Sequence, residues 1–306
     1  MMDDDKIVRR LYHDRHSLAE LGITHKDVYR LRAKGFNVKE VLEADGRKYY
    51  IKTVADNNIV LISPAQKDST DVSWAEISDT HSGCDTFNES GLHYFLTKAC
   101  AEGIKHVHHS GDLCDGYGVY NGQLNHLSYW RSEDQAEKLA DILKLFPLDY
   151  YAIKGNHDVS VERSGGVPVG KIVAAMCPRF TYIDDIVADL VIDGMCKRMI
   201  HGSGGSCYAK SYSSQVYIRN LLDSDRGHIK VHGKLYRIKC LQVGHHHTEI
   251  SYQTAGIHVT HPGGFQGPTD YTVRRGLVGP MGGRITKLVV RNGDVEEFDS
   301  KFILCR

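Results

Sequence analysis

The chain has no net charge, because 38 Lys and Arg balance 38 Asp and Glu over 306 residues. That excludes a uniformly cationic nucleic-acid binder, so any basic surface has to be local. No stretch reaches the run of about 18 apolar residues that a membrane helix needs. The start, Met1-Met2-Asp3-Asp4-Asp5, is acidic with no apolar run behind it, which argues against a secretory signal. The eight cysteines are scattered without a CxxC pair. Neither a disulfide framework nor a thiolate zinc site is expected from them. Reduced thiols and a cytoplasmic location are the expectation. Internal repeats and low-complexity tracts are lacking too. What the chain does have is histidine, 18 in all, including an internal run at His245-His246-His247. A hydrophobic content of 41% with 25% charged residues fits a packed globular protein.

Two units are expected, residues 1–65 and 66–306. In the first, Ser17 and Glu20 form a capping box that starts a short helix, and Gly22 breaks it. A second helix opens near His25, with Gly35 placed to end it. Val28 and Leu31 give it one buried stripe and leave His25, Lys26, Tyr29, Arg30 and Lys34 outside. Residues 38–54 read as two strands joined at Asp45-Gly46, a favoured hairpin turn. Helix, turn, helix and hairpin, in that order, resemble a winged-helix unit.

The second unit alternates strands and helices. Strands are expected at 72–78, 105–110, 150–154, 197–200 and 238–243, and a closing hairpin at 285–304 around Asn292-Gly293. A helix is expected at 88–101, with Leu92, Phe95, Leu96 and Ala99 inward. Another begins at Ser132, read as its N-cap with Gln135 completing the box, and Pro147 stops it.

Each of the five strands runs into a polar fragment. These are Asp79-Thr80-His81, Gly111-Asp112-Leu113-Cys114-Asp115, Gly155-Asn156-His157-Asp158, His201-Gly202 and Gly244-His245-His246-His247. Loops at the C-terminal edge of an open α/β sheet converge, so the fragments would share one site. The donors are all oxygen or nitrogen, which suits manganese, iron, magnesium or zinc. Each fragment alone is weak; five in one order, each after a strand, are not. The glycine-rich run after His201 reads equally as a phosphate-approaching backbone or as a plain loop. His106, His108 and His109 are not expected to be ligands, and His258 and His261 have no assigned role.

The order DxH, GDxxD, GNH followed by an acid, a lone His, then GHxH resembles the calcineurin-like metallophosphoesterases, from about residue 74 onward. The resemblance implies an α/β fold, a four-layer αββα sandwich, here preceded by a small helix-turn-helix/wing domain. It implies two divalent metal ions, manganese first, with iron, zinc, magnesium or nickel as alternatives. One would be held by Asp79, His81, Asp112 and His247, the other by Asp112, Asn156, His201 and His245, with Asp112 bridging. Two cations about 4 Å apart would make a hydroxide nucleophile from water and spread transition-state charge. His157 is expected to be catalytic, facing the leaving group, with Asp158 holding its ring. Asp115 would brace its loop, and Cys114 would be packing.

The substrate is open to several readings. Between Lys26 and Lys52 there are eight Lys/Arg against four Asp/Glu. That favours a phosphodiesterase or nuclease touching DNA or RNA through residues 17–54. The alternative is a phosphomonoesterase, or a diesterase of nucleotides or cyclic nucleotides. A non-catalytic scaffold is disfavoured, since no ligand is missing. No membrane association is expected.

Overall fold

A computed structural model describes residues 4–13, 16–33, 38–43, 46–51, 58–63, 70–204, 209–224, 226–231, 233–276 and 278–305. Its first elements are helices α1 (Asp4–His13), α2 (Leu18–Leu21) and α3 (His25–Ala33), then strands β1 (Val38–Glu43) and β2 (Gly46–Ile51). The sequence reading missed α1, which is short and strongly charged. Its Ile7 and Leu11 nonetheless join Leu21, Val28, Leu31, Val38 and Tyr49 in a small core. The capping box at Ser17 and Glu20 is present, and Gly22 closes α2 at φ 64°. Strands β1 and β2 pair antiparallel, and His16 bridges Tyr49. Gly35 and Asp45 lie outside the described residues. Several basic groups of this unit are already paired. Arg30 meets Asp4 and Asp27 at 2.6 Å each, and Arg47 meets Glu40 at 3.0 Å. Lys26 and Tyr29 stand exposed on α3.

The remaining chain runs β3 (Ile59–Leu61), β4 (Thr70–Ile77), α4 (Glu89–Ala101), β5 (His106–His109), α5 (Ser132–Leu143), β6 (Asp149–Ile153), α6 (Asn156–Arg163), α7 (Val169–Met176) and β7 (Phe180–Ile183). Then follow β8 (Val187–Ile192), β9 (Met195–His201), α8 (Tyr212–Asp223), β10 (His228–Val231), β11 (Lys234–Gly244), β12 (Glu249–Thr254), β13 (Ile257–Pro262), α9 (Asp270–Arg274), β14 (Gly282–Arg291) and β15 (Asp294–Leu304). One sheet has the order β15-β14-β4-β5-β6-β7; the other runs β12-β13-β11-β9-β8-β3, with β10 beside β11. An apolar layer containing Trp74, Ile153, Leu190, Met199 and Leu288 fills the space between them. Helices α4, α5 and α7 cover the outer face of the first sheet, where Phe95, Leu139 and Val173 are buried. Helix α8 covers the second through Ile218 and Leu221. This is the four-layer αββα sandwich.

Two sequence expectations need correction. Strand β3 lies before the 65/66 boundary, yet it pairs parallel with β8 at the edge of the second sheet. The boundary therefore moves upstream of Ile59; Pro64 and the polar residues after it imitated a linker. At α5 the N-cap is Arg131, with no side-chain cap bond. Gln135 turns inward instead, bonding Gly116 N at 2.9 Å and the Tyr129 carbonyl at 2.8 Å. Among the described residues no helix is long and apolar enough to cross a membrane.

Within the apolar layer lies a buried ion pair. Lys197 of β9 is fully enclosed and meets Glu76 of β4 at 2.7 Å. It donates to His108 Nδ1 of β5 at 2.9 Å and sits 4.5 Å above the Trp74 ring. Nearer the strand ends, Gln242 of β11 donates to the carbonyls of Ile77 and His108. These groups tie the two sheets together just below the loops that carry Asp79, Asp112 and His201. Removing one partner of a buried pair strands the other charge, at a cost of about 3–5 kcal/mol. Lys197→Met should therefore shift the guanidinium unfolding midpoint down strongly, and Lys197→Met with Glu76→Leu should recover most of the loss. Equal midpoints for Lys197→Met and the wild type would refute this role.

Candidate metal centre

The five fragments converge at the C-terminal ends of β4, β5, β6, β9 and β11. Glycine makes the convergence possible. A Cβ on Gly155 would collide with the Asp112 carboxylate, and one on Gly244 with the Ser110 carbonyl. The donors themselves sit on bent backbone. Asp79, His81, Asp112, His245 and His247 have φ of 51°, 46°, 53°, 87° and 48°. Left-handed backbone is uncommon for such residues, and it gathers at functional sites.

Among the described residues three candidate donor groups result, one of them His81 with Asp112 and His157, and the other two the triads expected to hold metal. Ligand atoms of Asp79, His81 and His247 all lie within 4.8 Å of one another, as do those of Asp112, His201 and His245. His81 Nε2 is 3.1 Å from His247 Nε2 and 3.7 Å from Asp112 Oδ2. His247 Nε2 is 3.6 Å from Asp79 Oδ1. On the other side, Asn156 Oδ1 lies 3.0 Å from His201 Nε2 and 2.8 Å from His245 Nδ1, and Asp112 Oδ2 is 3.2 Å from His201 Nε2. Asp112 thus faces both groups.

Tautomers show why this constellation suits a cation. His201 Nδ1 faces the Ser110 carbonyl at 2.8 Å, and a carbonyl only accepts. A ring proton is therefore on Nδ1, and Nε2 faces the oxygens of Asn156 and Asp112. His81 repeats the pattern, with Nδ1 donating to Asp115 Oδ1 at 3.0 Å. Its Nε2 then meets the Nε2 of His247. Either a proton or a cation has to lie between these atoms; the carboxylates around His201 and His81 favour positive charge there, and the all oxygen and nitrogen donor set fits a divalent metal. A carboxylate orienting a ligating imidazole is the usual outer support of such a site. Asp115 provides it, and is itself held by Gln123 at 2.9 Å and Gln266 at 3.2 Å.

The electrostatics agree with this picture. Burial pushes the Asp112 carboxyl up, but the charges of His201 and His157 outweigh it and hold it well below the carboxylate range. Burial also works against a proton on His201, yet Asp112 and Asp79 raise that ring to about 9. Burial draws His247 down to about 4, leaving it a neutral donor.

His157 opens onto the same cleft, with His81, Asp112, Asn156, His245 and His247. Its backbone N–H donates to Asp112 Oδ1 at 2.8 Å. Its Nδ1 donates to the Asp115 carbonyl at 2.6 Å, which leaves Nε2 for the cleft. Asp158 does not hold this ring, contrary to the sequence reading. Its carboxylate accepts from the N–H groups of Gly155, Leu113 and Cys114 at 2.8–3.1 Å. It clamps two ligand loops together, because the capping geometry at the start of α6 turns it away from its neighbour. Burial and the nearby Asp112 push Asp158 up to about 7.

Among the other histidines, His109 bonds Thr80 Oγ1 at 3.1 Å, His258 stacks on Phe298, and His261 bonds Ser214 Oγ at 3.0 Å. None of these joins the triads. The glycine-rich run is described only as far as Gly204, whose carbonyl is 2.9 Å from His245 Nε2.

No family model matches the chain. It is 36% identical over 147 residues to the DNA polymerase II small subunit of Halobacterium salinarum, across 46% of this chain and 28% of that one. It is 24% identical over 241 residues to the DNA polymerase II small subunit of Methanothermobacter thermautotrophicus, across 67% of this chain and 50% of that one. The chain thus spans half or less of the length of these relatives. A solved structure of Vps29 from Entamoeba histolytica complexed with zinc aligns over 75% of this chain and 98% of its own. Its TM-score is 0.40 and its identity 15%.

Proposed function

We propose that this chain, a member of the calcineurin-like metallophosphoesterase superfamily, is a phosphodiesterase that cleaves nucleic acid. The observation that carries the chemistry is Asp112 lying between His81 on one side and His201 with His245 on the other, beside a histidine that lines the same cleft. In this reading the site would take two divalent metal ions, manganese foremost, whose chemistry when bound would be to activate water and offset phosphoryl charge. Asp79, His81, Asp112 and His247 would hold one, and Asp112, Asn156, His201 and His245 the other. His157, with its Nδ1–H held by the Asp115 carbonyl, would have to carry a second proton on Nε2 to give to the departing oxygen, which burial opposes and the charge of Asp112 favours. The Asp115 carbonyl keeps that ring aimed, and Asp158 keeps the two loops in register.

Nucleic acid is favoured by the relatives, whose names place them on a DNA polymerase. The exposed Lys26 and Tyr29 of α3 support it locally. In this reading residues 17–54 act as a winged-helix-like contact for a duplex, with α3 against it. The relatives are also subunits, so a protein partner belongs to the same proposal.

The test is a substrate panel with Mn²⁺. Bis-p-nitrophenyl phosphate should turn over faster than the monoester, and labelled DNA or RNA should be cut. Monoester turnover above diester turnover, with both nucleic acids left intact, would remove this reading.

A further inference from the structure

The two expected ion sites draw on both sheets, and they do so unevenly. For one, Asp79 and His81 follow β4, Asp112 follows β5, and only His247 comes from the facing sheet, after β11. For the other, Asp112 and Asn156 follow β5 and β6, while His201 ends β9 and His245 follows β11. A split of two and two makes the second site the more sensitive to how far apart the sheets stand at this edge. Apolar packing is non-directional and sets that distance loosely. Hydrogen bonds of defined length and angle set it closely.

Gln242 supplies such bonds. It lies two residues before Gly244 in β11, between Leu241 and Val243, and is fully enclosed. A buried amide in an apolar strand costs stability unless it is bonded. Its Nε2 reaches three groups of the opposite sheet. These are the Ile77 carbonyl at the end of β4 at 3.1 Å, the His108 carbonyl of β5 at 3.0 Å, and Ser110 Oγ at 3.1 Å. Carbonyls only accept, so the amide nitrogen is the atom that faces them. Ser110 in turn offers its carbonyl to His201 Nδ1 at 2.8 Å and its N–H to the Ile77 carbonyl at 3.1 Å. One side chain of the second sheet therefore grips the ends of two strands of the first and, through Ser110, reaches a ligand of the second ion. The approach leaves no slack, since a Cβ on Gly244 would collide with both the Ser110 carbonyl and Ser78 Oγ. Lys197 ties the same sheets through Glu76 and the His108 ring, but it stands opposite Cys240, farther from the ligand-bearing ends. We infer that Gln242 is a positioning residue that holds the two sheets at the spacing the second ion requires, so that it governs the affinity of the Asp112, Asn156, His201 and His245 site. This rests on the two-ion reading above.

The experiment titrates the full chain with Mn²⁺ by calorimetry and by the electron paramagnetic resonance of the bound ions. Wild type is compared with Gln242→Met, which keeps the length and removes the donors, and with the double variant Lys197→Met, Glu76→Leu. Loss of an outer support of a metal site weakens binding about 10- to 100-fold. Gln242→Met should lose that much at the second Mn²⁺ and little at the first, and an uncoupled-ion signal should replace the coupled pair at limiting metal. Excess Mn²⁺ should restore its hydrolysis of bis-p-nitrophenyl phosphate, which a general loss of structure would not allow. The double variant should bind both ions as the wild type does. If Gln242→Met does not fold, Ser110→Ala carries the test. It cuts one of the three bonds and should weaken the second ion about threefold, as loss of one modest neutral hydrogen bond does. Unchanged affinities, equal weakening of both ions, or the same loss in the double variant would overturn the role of Gln242 and leave the two-ion reading standing. A wild type that takes up a single Mn²⁺ would overturn the two-ion reading, and this inference with it.

Discussion

Asp112→Asn should all but abolish Mn²⁺-dependent hydrolysis while the protein stays folded. Asp112 faces both donor triads, with Oδ2 at 3.2 Å from His201 Nε2 and 3.7 Å from His81 Nε2. An amide presents one oxygen and no charge, so it cannot serve both sides. Its oxygen can still accept the His157 N–H, now bonded at 2.8 Å, so the loop is kept. Loss of metal charge stabilisation amounts to several kcal/mol. At 1.36 kcal/mol per decade that is on the order of 10³-fold in rate. Elemental analysis should show the bound metal falling in step. A variant retaining a tenth of the activity would disprove the shared role.

His157→Gln should act differently. It should keep its metal, since both triads, Asp79 with His81 and His247 and Asp112 with His201 and His245, are left intact. A general acid is worth about 10²–10⁴-fold. That loss should appear with poor leaving groups such as a nucleoside hydroxyl. It should shrink with p-nitrophenolate, which departs without a proton. Equal losses on both substrate types would place His157 in binding rather than in proton transfer.

These residues could be found in the sequence because each lies at the end of a strand, where type and spacing are both constrained. Asp79, His81, Asp112, Asn156, His201, His245 and His247 meet in the structure although up to 168 positions separate them. The carboxylate that orients His81 was harder to see. Asp115 closes its own motif, but its bond to His81 crosses between two loops and leaves no local pattern. Asp158 misled for the opposite reason, since adjacency to His157 suggested a contact that the helix geometry forbids. The stacked pair Tyr120 and Tyr271 was not read from the sequence, because Tyr271 arrives from a distant helix and only the fold brings it onto Tyr120. The buried Lys197 was invisible, because a lysine in an apolar strand gives no hint of the glutamate and histidine waiting on the facing sheet.

The left-handed backbone at five of the donor residues also shapes how this protein can evolve. Each such conformation costs roughly 1–3 kcal/mol, and glycine adopts it freely. Under selection for heat resistance alone, glycine would spread through positions 79, 81, 112, 245 and 247. Every such gain would delete a ligand, so robustness and turnover pull against each other at the same five codons.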